Sequence, residues 1–398
     1  MSAVFVELGS VAEFINGAPF KPEDWGDSGA RIIRIQNLTD PSRPFNRTKR
    51  TVEEKLRVRP GDLLVSWSAT LGVFEWSGLD EALLNQHIFR VVPDGKKVEK
   101  SYLRHALEGA ILDMQPHLHG ATMQHVNRGE FLGTKLFLPP LAEQRRIAEV
   151  LDRAEGLRAK RRNTLAQLDT LTQSIFLDLF GDPVVNQKGW DLKKLGDVGT
   201  IDRGVSKHRP RNAPQLLGGS YPLVQTGDVA KCDGYIRSYM STYSDIGLRQ
   251  SKLWPAGTLC ITIAANIAKT GILRFDACFP DSIVGFRAED PATVEYVRIW
   301  LSFLQKALED RAPESAQKNI NLAILRDISL PLPPLPLRKL FSRHIAAIEK
   351  VKAAHRISLT RLDTLFASLH YRAFRGELVI DVPPSRSLGK AVGDGVDS

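Results

Sequence analysis

Cysteine is scarce in this sequence: among 398 residues there are three, Cys232, Cys260 and Cys278. None of them stands in a Cys-x-x-Cys spacing, which argues against both a zinc site and a disulfide framework. We therefore predict that the three cysteines are small, buried apolar side chains.

Long apolar runs are also missing. No stretch approaches the roughly 20 apolar residues that a membrane-spanning helix needs, and the N-terminal residues lack a basic segment followed by an apolar one. We therefore expect a cytoplasmic protein. The hydrophobic fraction of 43% and the charged fraction of 25% are ordinary for a globular protein, and the chain length predicts two or three domains.

Catalytic sequence motifs are absent as well. The chain contains no Gly-x-x-x-x-Gly-Lys-Ser/Thr phosphate loop, no His-Glu-x-x-His, no Gly-x-Ser-x-Gly and no Gly-x-Gly-x-x-Gly. An Asn/Asp-Pro-Pro-aromatic methylase signature is also missing. We therefore predict a recognition protein rather than an enzyme, and we assign no catalytic or metal-binding residue.

The most informative feature that is present is a repeat. Leu138-Pro139-Pro140 opens a charged, helix-like stretch that contains Leu168-Asp169-Thr170-Leu171. Leu332-Pro333-Pro334 opens another, which contains Leu362-Asp363-Thr364-Leu365. Both pairs of anchors have the same offset, 332 − 138 = 194 and 362 − 168 = 194. A constant offset over about thirty residues predicts two copies of one rigid helix.

Weaker matches in the rest of the chain extend the repeat to a whole module. Residues 6–9 match residues 193–196, residues 35–38 match 224–227, and residues 60–64 match 256–260. Similar turns precede each Leu-Pro-Pro, at 123–127 and at 316–320. The predicted domains are a first module at 1–138, a helix at 139–181, a second module at 182–332, a helix at 333–378 and a disordered tail at 379–398.

Each module has the pattern of a mixed fold in which strands dominate. Alternating or β-branched runs predict strands, and helices are expected only late in each module; clusters of turn residues predict exposed loops. The predicted strands are 31–35, 62–67, 258–263 and 282–286, the predicted helices 101–115 and 294–311, and the predicted loops 40–46 and 208–220.

The two repeated stretches carry a continuous apolar stripe at spacings of three and four residues, which is typical of an amphipathic helix. A helix of forty residues is about 60 Å long. Such a rod cannot bury its stripe against one module, so we predict that the two helices pair with each other. Pro139-Pro140 and Pro333-Pro334 fit the helix starts, and Gly181 and Gly376 can close the ends. The predicted fold class is α+β.

A net charge of +9 and an isoelectric point near 9.4 favour a polyanionic partner. Basic residues cluster in the matching loops of both modules, next to Gln, Asn and Thr side chains that can pair with base edges. For each such side chain the alternative is that it only ends a strand. The candidate DNA-binding residues are Lys21, Arg31, Arg34, Gln36, Asn37, Thr70, Lys207, His208, Arg209, Arg211, Gln225, Thr226, Asn266 and Lys269.

These features together resemble one known family. Two modules, each closed by Leu-Pro-Pro-Leu and a long helix, with the string from Leu138 to Ile147, resemble the DNA specificity subunit of type I restriction-modification systems. The ending Phe374-Arg375-Gly376-Glu377-Leu378 and the turns at Gln124/Val126 and Gln317/Asn319 are similar to that family as well. The resemblance covers roughly residues 5 to 380.

The resemblance implies that each module is a target-recognition domain for one half of a split DNA site. It implies that the two helices pair antiparallel as a spacer on which two methyltransferase subunits dock, and that restriction and translocase subunits join them. S-adenosylmethionine, ATP and Mg would then be bound by those partners, and no cofactor by this chain. The expected docking residues are Glu143, Gln144, Ile147, Arg338 and Lys339.

The second copy departs from the family pattern, because Leu337 and Arg338 replace the Glu-Gln pair and Phe341 replaces the Ile. Methyltransferase docking is therefore expected to be less symmetric. Two alternatives stay open: a coiled-coil scaffold whose modules bind proteins, and a specificity subunit of another DNA-modification or phage-defence complex.

Overall fold

The computed structural model describes residues 4–114, 128–264, 268–311 and 321–378. The chain divides into two compact units, residues 1–162 with 357–398, and residues 163–356. Both long helices cross from one unit to the other, and the crossing points are also 194 residues apart (356 − 162). The predicted module boundaries stay predictions. Asn266, the turns at 123–127 and 316–320, and the predicted tail lie outside the described residues.

The first unit contains ten strands and parts of two long helices, among the residues that are described. Its strands are β1 Phe5–Glu7, β2 Ala12–Asn16, β3 Ala30–Ile33, β4 Asn46–Thr48, β5 Arg57–Val58, β6 Leu63–Ser66, β7 Gly72–Glu75, β8 Ala82–Leu84, β9 Ile88–Pro93 and β10 Lys135–Phe137. Its helices are α1 Ile35–Thr39, α2 Lys100–Met114, α3 Arg128–Gly133 and the beginning of α4 Leu141–Phe180.

Two four-stranded sheets form the body of the first unit. One has the order β2-β9-β6-β7 and is antiparallel throughout; the other, β4-β3-β8-β5, contains the parallel pair β3 and β8. The main core packs the first sheet against α2 and the start of α4, with Phe14, Phe89, Tyr102 and Leu151 at 5% exposure or less. Burial of these side chains attaches the long helix to the sheet through the hydrophobic effect.

The second unit repeats this plan. Its strands are β11 Leu192–Lys194, β12 Thr200–Arg203, β13 Leu217–Leu223, β14 Gly234–Ile236, β15 Ser241–Tyr243, β16 Leu253–Trp254, β17 Leu259–Thr262, β18 Thr270–Leu273, β19 Ala277–Cys278, β20 Ile283–Arg287 and β21 Ser329–Pro331. Its helices, beside the end of α4, are α5 Leu195–Val198, α6 Thr226–Lys231, α7 Asp245–Arg249, α8 Pro291–Arg311, α9 Leu322–Asp327 and the beginning of α10 Leu335–Ala373.

The sheets of the second unit have the orders β12-β20-β17-β18-β14 and β15-β13-β19-β16. Both units combine helices with largely antiparallel sheets, which confirms the α+β class. Cys260 and Cys278 are fully buried and free, as predicted, and Cys232 is half-buried.

Matched details confirm the duplication. Gly61 and Gly257 enter equivalent strands, β6 and β17, with φ of +88° and +85°, a conformation that glycine adopts without steric cost. The hydroxyl of Tyr102 donates to the carbonyl of Phe137 at 2.5 Å, and that of Tyr296 donates to the carbonyl of Pro331 at the same distance. Each tyrosine thereby ties a helix of its unit, α2 or α8, to the strand that leads into a long helix.

Several predicted elements need correction. The strand predicted at 31–35 ends at Ile33, and a short helix, α1, follows, because the Asn37 side chain accepts from the backbone N–H of Arg34 and caps its first turn. Short helices therefore occur early in the modules as well as late. The predicted loop at 208–220 ends in the strand β13, whose first residue is Leu217.

Both predicted long helices are present, and α4 ends at Phe180, one residue before its predicted end, whereas α10 ends at Ala373, five residues before the predicted end at 378. Each begins directly after its Pro-Pro pair, and Gly181 and Gly376 lie beyond the C-terminal ends with φ of +77° and +72°. Inside each unit the beginning of one helix contacts the end of the other. In the first unit Arg158 lies 4.3 Å from the ring of Phe366, and in the second Phe176 contacts Phe341. One continuous antiparallel coiled coil stays a prediction.

The repeated Leu-Asp-Thr-Leu motif contributes an interhelical ion pair in each unit. In the first unit Arg158 Nε lies 2.6 Å from Asp363 Oδ1, and in the second Lys352 Nζ lies 2.5 Å from Asp169 Oδ1. The two cations are 194 residues apart and so are the two aspartates. Lys352 is 4% exposed, and a cation so buried requires its carboxylate partners. The motif is thus explained by pairing between the helices.

Candidate nucleic-acid interface

The candidate residues of the first module gather around β3 and α1. Arg31 and Arg34 are half-buried: Arg31 lies 3.5 Å from Asp80, and the Arg34 guanidinium lies over Trp25, 5.2 Å from the ring centroid. Lys21 and Gln36 are exposed. A guanidinium held on an aromatic ring is restricted in orientation while its N–H donors stay available. Arg34 is therefore well placed to contact a base or a phosphate.

Asn37 has to be removed from the candidate contacts. Its side chain is 3% exposed, accepts from the Arg34 N–H, and donates to the carbonyls of Arg43 and Pro44 at 3.2 Å each. A buried amide whose oxygen and nitrogen are both hydrogen-bonded inside the protein cannot also pair with a base edge. Its role is to hold the loop that follows α1.

The equivalent region of the second module corrects the register of the repeat. The backbone N–H of Gln225 donates to Asp228 at 2.8 Å, as the N–H of Arg34 does to Asn37. Arg34 and Gln225 are therefore equivalent, each directly preceding a short helix, whereas the sequence match places Gln36 opposite Gln225. The polar side chain at this position is an arginine in one module and a glutamine in the other. Because the two residue types differ, sequence similarity alone could not reveal that the positions are equivalent.

The basic loop at 207–211 is held by two polar groups of the second module. The Gln250 side chain accepts from the backbone N–H groups of Lys207 and His208 at 2.7 and 3.0 Å. Asp281 pairs with Arg209 at 3.3 Å and also with Arg211. Lys207, Arg209 and Arg211 are exposed, so the loop presents fixed cations, partly neutralised by one carboxylate.

The other candidates are scattered. Thr70 is exposed in a turn, and its backbone carbonyl accepts a hydrogen bond from the Ser66 hydroxyl. The Lys269 ammonium donates to the Gln305 side chain at 3.3 Å. Thr226 is half-buried at the first position of α6. Contacts of all these candidates with DNA stay predictions.

A cleft of about 600 Å³ lies beside α6 in the second unit. The sequence identifies Gln225 at its edge but misses its cations Lys231 and Arg237 and the exposed Met240, because no motif marks them and the cleft forms only when α6 packs beside β14. The lining residues are Gln225, Gly227, Asp228, Lys231, Cys232, Asp233, Tyr235, Ile236, Arg237, Ser238, Met240 and Arg356.

One wall of this cleft is an ion cluster. Asp233 lies 3.2 Å from Lys352 Nζ and also pairs with Arg356, while Glu349 pairs with Arg237 at 2.7 Å. Burial alone would raise the pKa of Asp233, but the hydrogen bonds from Arg356 and Lys352 outweigh burial and lower it. The loop after α6 is thereby fixed to α10 by charge.

Two of the expected docking residues are buried and act inside the first unit. Gln144 is 1% exposed; it donates to the carbonyls of Pro139 and Lys97 and accepts from the N–H of Glu99. Ile147 is also 1% exposed, within the core. Both side chains attach the helix start to its own module, so the prediction that they contact a partner is wrong for this structure.

The departures of the second copy are replacements that keep the same function. Arg338 occupies the place of Gln144, and it donates to the carbonyl of Pro333 at 3.0 Å and to Thr293. Phe341 is fully buried at the place of Ile147. Lys339 is exposed and lies 3.0 Å from Asp290, and Glu143 is half-buried. The departures at Arg338 and Phe341 therefore change how the start of α10 is attached to the second module.

A cluster with the donor types of a metal site occurs in the first unit, at His105, Asp152 and Glu155. Its centre already holds a cation, because Arg104 NH2 lies 2.7 Å from Asp152, 2.9 Å from Glu155 and 3.0 Å from His105. Burial would raise the pKa of Asp152, but hydrogen bonds from Ser101, His105 and Arg104 lower it. The group is an ion-pair network that fixes α2 to α4.

Among the described residues no helix is long and apolar enough to cross a membrane.

Comparison with known proteins accounts for this architecture. A family model described as Type I restriction modification DNA specificity domain matches residues 3–167 and 187–353. The chain is 26% identical over 418 residues to the Type I restriction enzyme EcoBI specificity subunit of Escherichia coli, covering 94% of this chain and 85% of that protein. It is 22% identical to the putative type I restriction enzyme MjaX specificity subunit of Methanocaldococcus jannaschii, covering 86% of each.

Solved structures show the same fold. The S subunit of a type I system from M. genitalium matches with a TM-score of 0.57 at 12% identity, covering 94% of this chain and 96% of that one. A chain from a structure that concerns complex assembly and conformational transition of the type I R-M system matches with a TM-score of 0.50 at 18% identity. The match covers 94% of this chain and 98% of that one. With two matched domains in tandem, the chain belongs to the type I restriction-modification DNA specificity family and is a specificity subunit.

Proposed function

We propose that each module recognises one half of a bipartite DNA site and that α4 and α10 set the distance between the halves. The observation that carries this proposal is the duplication. Two equivalent modules offer different side chains at equivalent places, Arg34 in one and Gln225 in the other. Arginine pairs preferentially with guanine and glutamine with adenine, so two similar modules would specify two unlike half-sites.

In the proposed complex this chain supplies specificity and a scaffold but no chemistry of its own. Two methyltransferase subunits bind to it and modify an adenine in each half-site, using S-adenosylmethionine. Restriction and translocase subunits that use ATP and Mg join the same assembly in the cytoplasm. Support comes from the names of the relatives, each a specificity subunit of a type I restriction enzyme, and from the net charge of +9.

The test is sequencing of modified adenines in DNA from cells that express this chain with its methyltransferase subunit. We expect one bipartite motif with a fixed gap. Exchange of residues 195–330 for the corresponding module of another member should change one half of the motif and leave the other half and the gap unchanged. A change in both halves, or methylation without a split motif, would contradict the proposal.

A salt titration of DNA binding distinguishes the proposed DNA recognition from the alternative of a protein-binding scaffold. Binding through phosphates weakens steeply with salt, with log K falling by about 0.9 for each neutralised phosphate per decade of salt. A protein-binding scaffold would show weak DNA binding or none, even with the methyltransferase present.

A further inference from the structure

The first unit contains a cavity of about 510 Å³ between α2, the end of α10 and β10. Its lining is mainly apolar, with Leu8, Leu136 and Phe137 on one side and Phe366 and Phe374 on the other. Cavities of this size, mainly apolar with a few polar groups, are typical of small-molecule sites. None of the predicted DNA-binding or docking residues lines it, so it is separate from both predicted interfaces.

In the second unit, aromatic side chains occupy the equivalent place. The two tyrosine hydrogen bonds described above relate α2 to α8 by an offset of 194 residues. Trp300 and Phe303 of α8 therefore correspond to Ala106 and Gly109 of α2. Trp300 is fully buried, and the ring of Phe303 lies 5.1 Å from the ring of Phe176. The first unit thus has a methyl group and a glycine where the second has two aromatic side chains.

The facing helix keeps its own ring in the first unit. His370 of α10 corresponds to Phe176 of α4, since 370 − 176 = 194. The His370 Nε2–H donates to the carbonyl of His105 at 2.9 Å, which fixes the orientation of the ring. The ring packs directly on Gly109, where a Cβ would lie 2.7 Å from His370 Cε1. The cavity therefore has one aromatic wall but lacks the second ring that packs against it in the other unit.

The rest of the chain cannot supply the missing ring. Outside the described residues lie 1–3, 115–127, 265–267, 312–320 and 379–398, and these contain no Phe, Tyr or Trp. A phenyl, phenol or indole ring that fills the cavity must therefore come from another molecule.

The edge of the cavity carries a cation. The Arg375 guanidinium lies over the exposed ring of Tyr371, 4.3 Å from its centroid. The two carboxylates of the lining, Glu108 and Asp363, pair with other arginines at 2.9 and 2.6 Å. Among the residues that the structure describes, Arg375 has no carboxylate partner. A guanidinium held on a ring keeps its N–H donors available for a carboxylate.

We propose that this cavity binds a small aromatic carboxylate, whose ring packs against His370 and whose carboxylate pairs with Arg375. The ring takes the place that side chains of α8 fill in the second unit, and ring pairs are favourable beyond the area that they bury. A ligand here contacts both α2 and the end of α10, so its binding stabilises the attachment of α10 to the first module. The inference does not depend on the proposed DNA recognition.

The ligand class is tested by calorimetric titration of the full chain with 2-naphthoate. We expect one molecule to bind per chain. Benzoate should bind about three- to tenfold more tightly than cyclohexanecarboxylate, because only the former has a ring that stacks. The uncharged 2-naphthamide should bind about fivefold more weakly than 2-naphthoate, because it lacks the ion pair.

The place of the ligand is tested by giving α2 the side chains of α8. Ala106→Trp introduces the equivalent of Trp300 and should abolish binding of 2-naphthoate, and Ala110→Leu, the equivalent of Leu304, should weaken it. Ala159→Leu, at an exposed position of α4 outside the cavity, is the control and should bind as the wild type does. In melting curves 2-naphthoate should raise the Tm of the wild type and the control but not of Ala106→Trp.

The cation is tested separately, in variants that leave the apolar lining intact. Arg375→Gln should weaken 2-naphthoate about fivefold and leave 2-naphthamide unchanged. Arg372→Gln, at an exposed neighbour that does not line the cavity, should change neither affinity. These variants and Ala110→Leu still test the proposal if Ala106→Trp does not fold.

Four results would overturn the inference. The first is a wild-type chain that binds none of these probes at millimolar concentration. The second is unchanged binding of 2-naphthoate by folded Ala106→Trp or by both Ala110→Leu and Arg375→Gln, which would place the ligand elsewhere. The third is equal affinity for benzoate and cyclohexanecarboxylate. The fourth is much tighter binding by a chain that ends at Leu378, which would show that residues 379–398 occupy the cavity.

Discussion

At the residue scale, equivalent side chains carry out equivalent attachments in the two units even where their chemistry differs. Gln144 and Arg338 both bond to the carbonyl of the first proline of their Pro-Pro pair. Ile147 and Phe341 both fill the core beneath the helix start. The sequence presented these differences as departures at a docking site. They are compensating replacements inside the protein. Glutamine and arginine differ in length, but each reaches the equivalent proline carbonyl in its own unit.

The tyrosine hydroxyls provide a matched prediction at this scale. Tyr102→Phe and Tyr296→Phe each remove one buried hydrogen bond and leave a carbonyl of the chain with one partner fewer. We expect each substitution to lower the free energy of unfolding by about 1 kcal/mol, measured by chemical denaturation. Tyr371→Phe, at a side chain that is 55% exposed, serves as the control and should have little effect. Equal stability of wild type and both core variants would contradict the assigned role.

At the scale of elements, the loop after α6 is fixed to α10 by Asp233, Lys352 and Arg356. The hydrogen bonds from the two cations lower the pKa of Asp233 below its ordinary value of 3.8. A carboxyl whose pKa is lower in the folded state stabilises the fold above its unfolded pKa. This contribution is lost as the pH falls through the folded pKa.

We therefore predict that Asp233→Asn lowers the stability of the protein at neutral pH and that the difference from the wild type shrinks as the pH falls below about 4. The measurement is denaturant unfolding over a pH series. Asp178→Asn, at an exposed carboxylate of α4, is the control and should show a smaller effect at every pH. A difference that stays constant down to the lowest pH would show that the charge of Asp233 does not stabilise this contact.

At the scale of the whole molecule, both long helices cross between the compact units at equivalent places, after Arg162 and after Arg356. Inserting four helix-forming residues at both places keeps every contact inside each unit. Each helix becomes longer by about 6 Å, which corresponds to about two base pairs at roughly 3.4 Å each. We predict that the gap of the methylated motif grows accordingly and that both half-sites stay the same, as sequencing of modified adenines would show.

An insertion in one helix alone is the matched control. It shifts the ion pair between Arg158 and Asp363 out of register with the pair between Lys352 and Asp169, so reduced stability is expected instead of a new gap. If the double insertion leaves the gap unchanged, the helices do not set the spacing.

The sequence by itself determined the duplicated plan, the two helices and where they begin, because these depend on periodicity, on proline, and on a repeat offset that needs no coordinates. It also indicated the family. Tertiary structure alone decided which polar residues are available: Asn37 and Gln144 looked like contacts but are buried, while Lys231 and Arg237 line one cleft beside α6. The physical reason is that burial and hydrogen bonding depend on how elements pack, and residue type and spacing do not specify this.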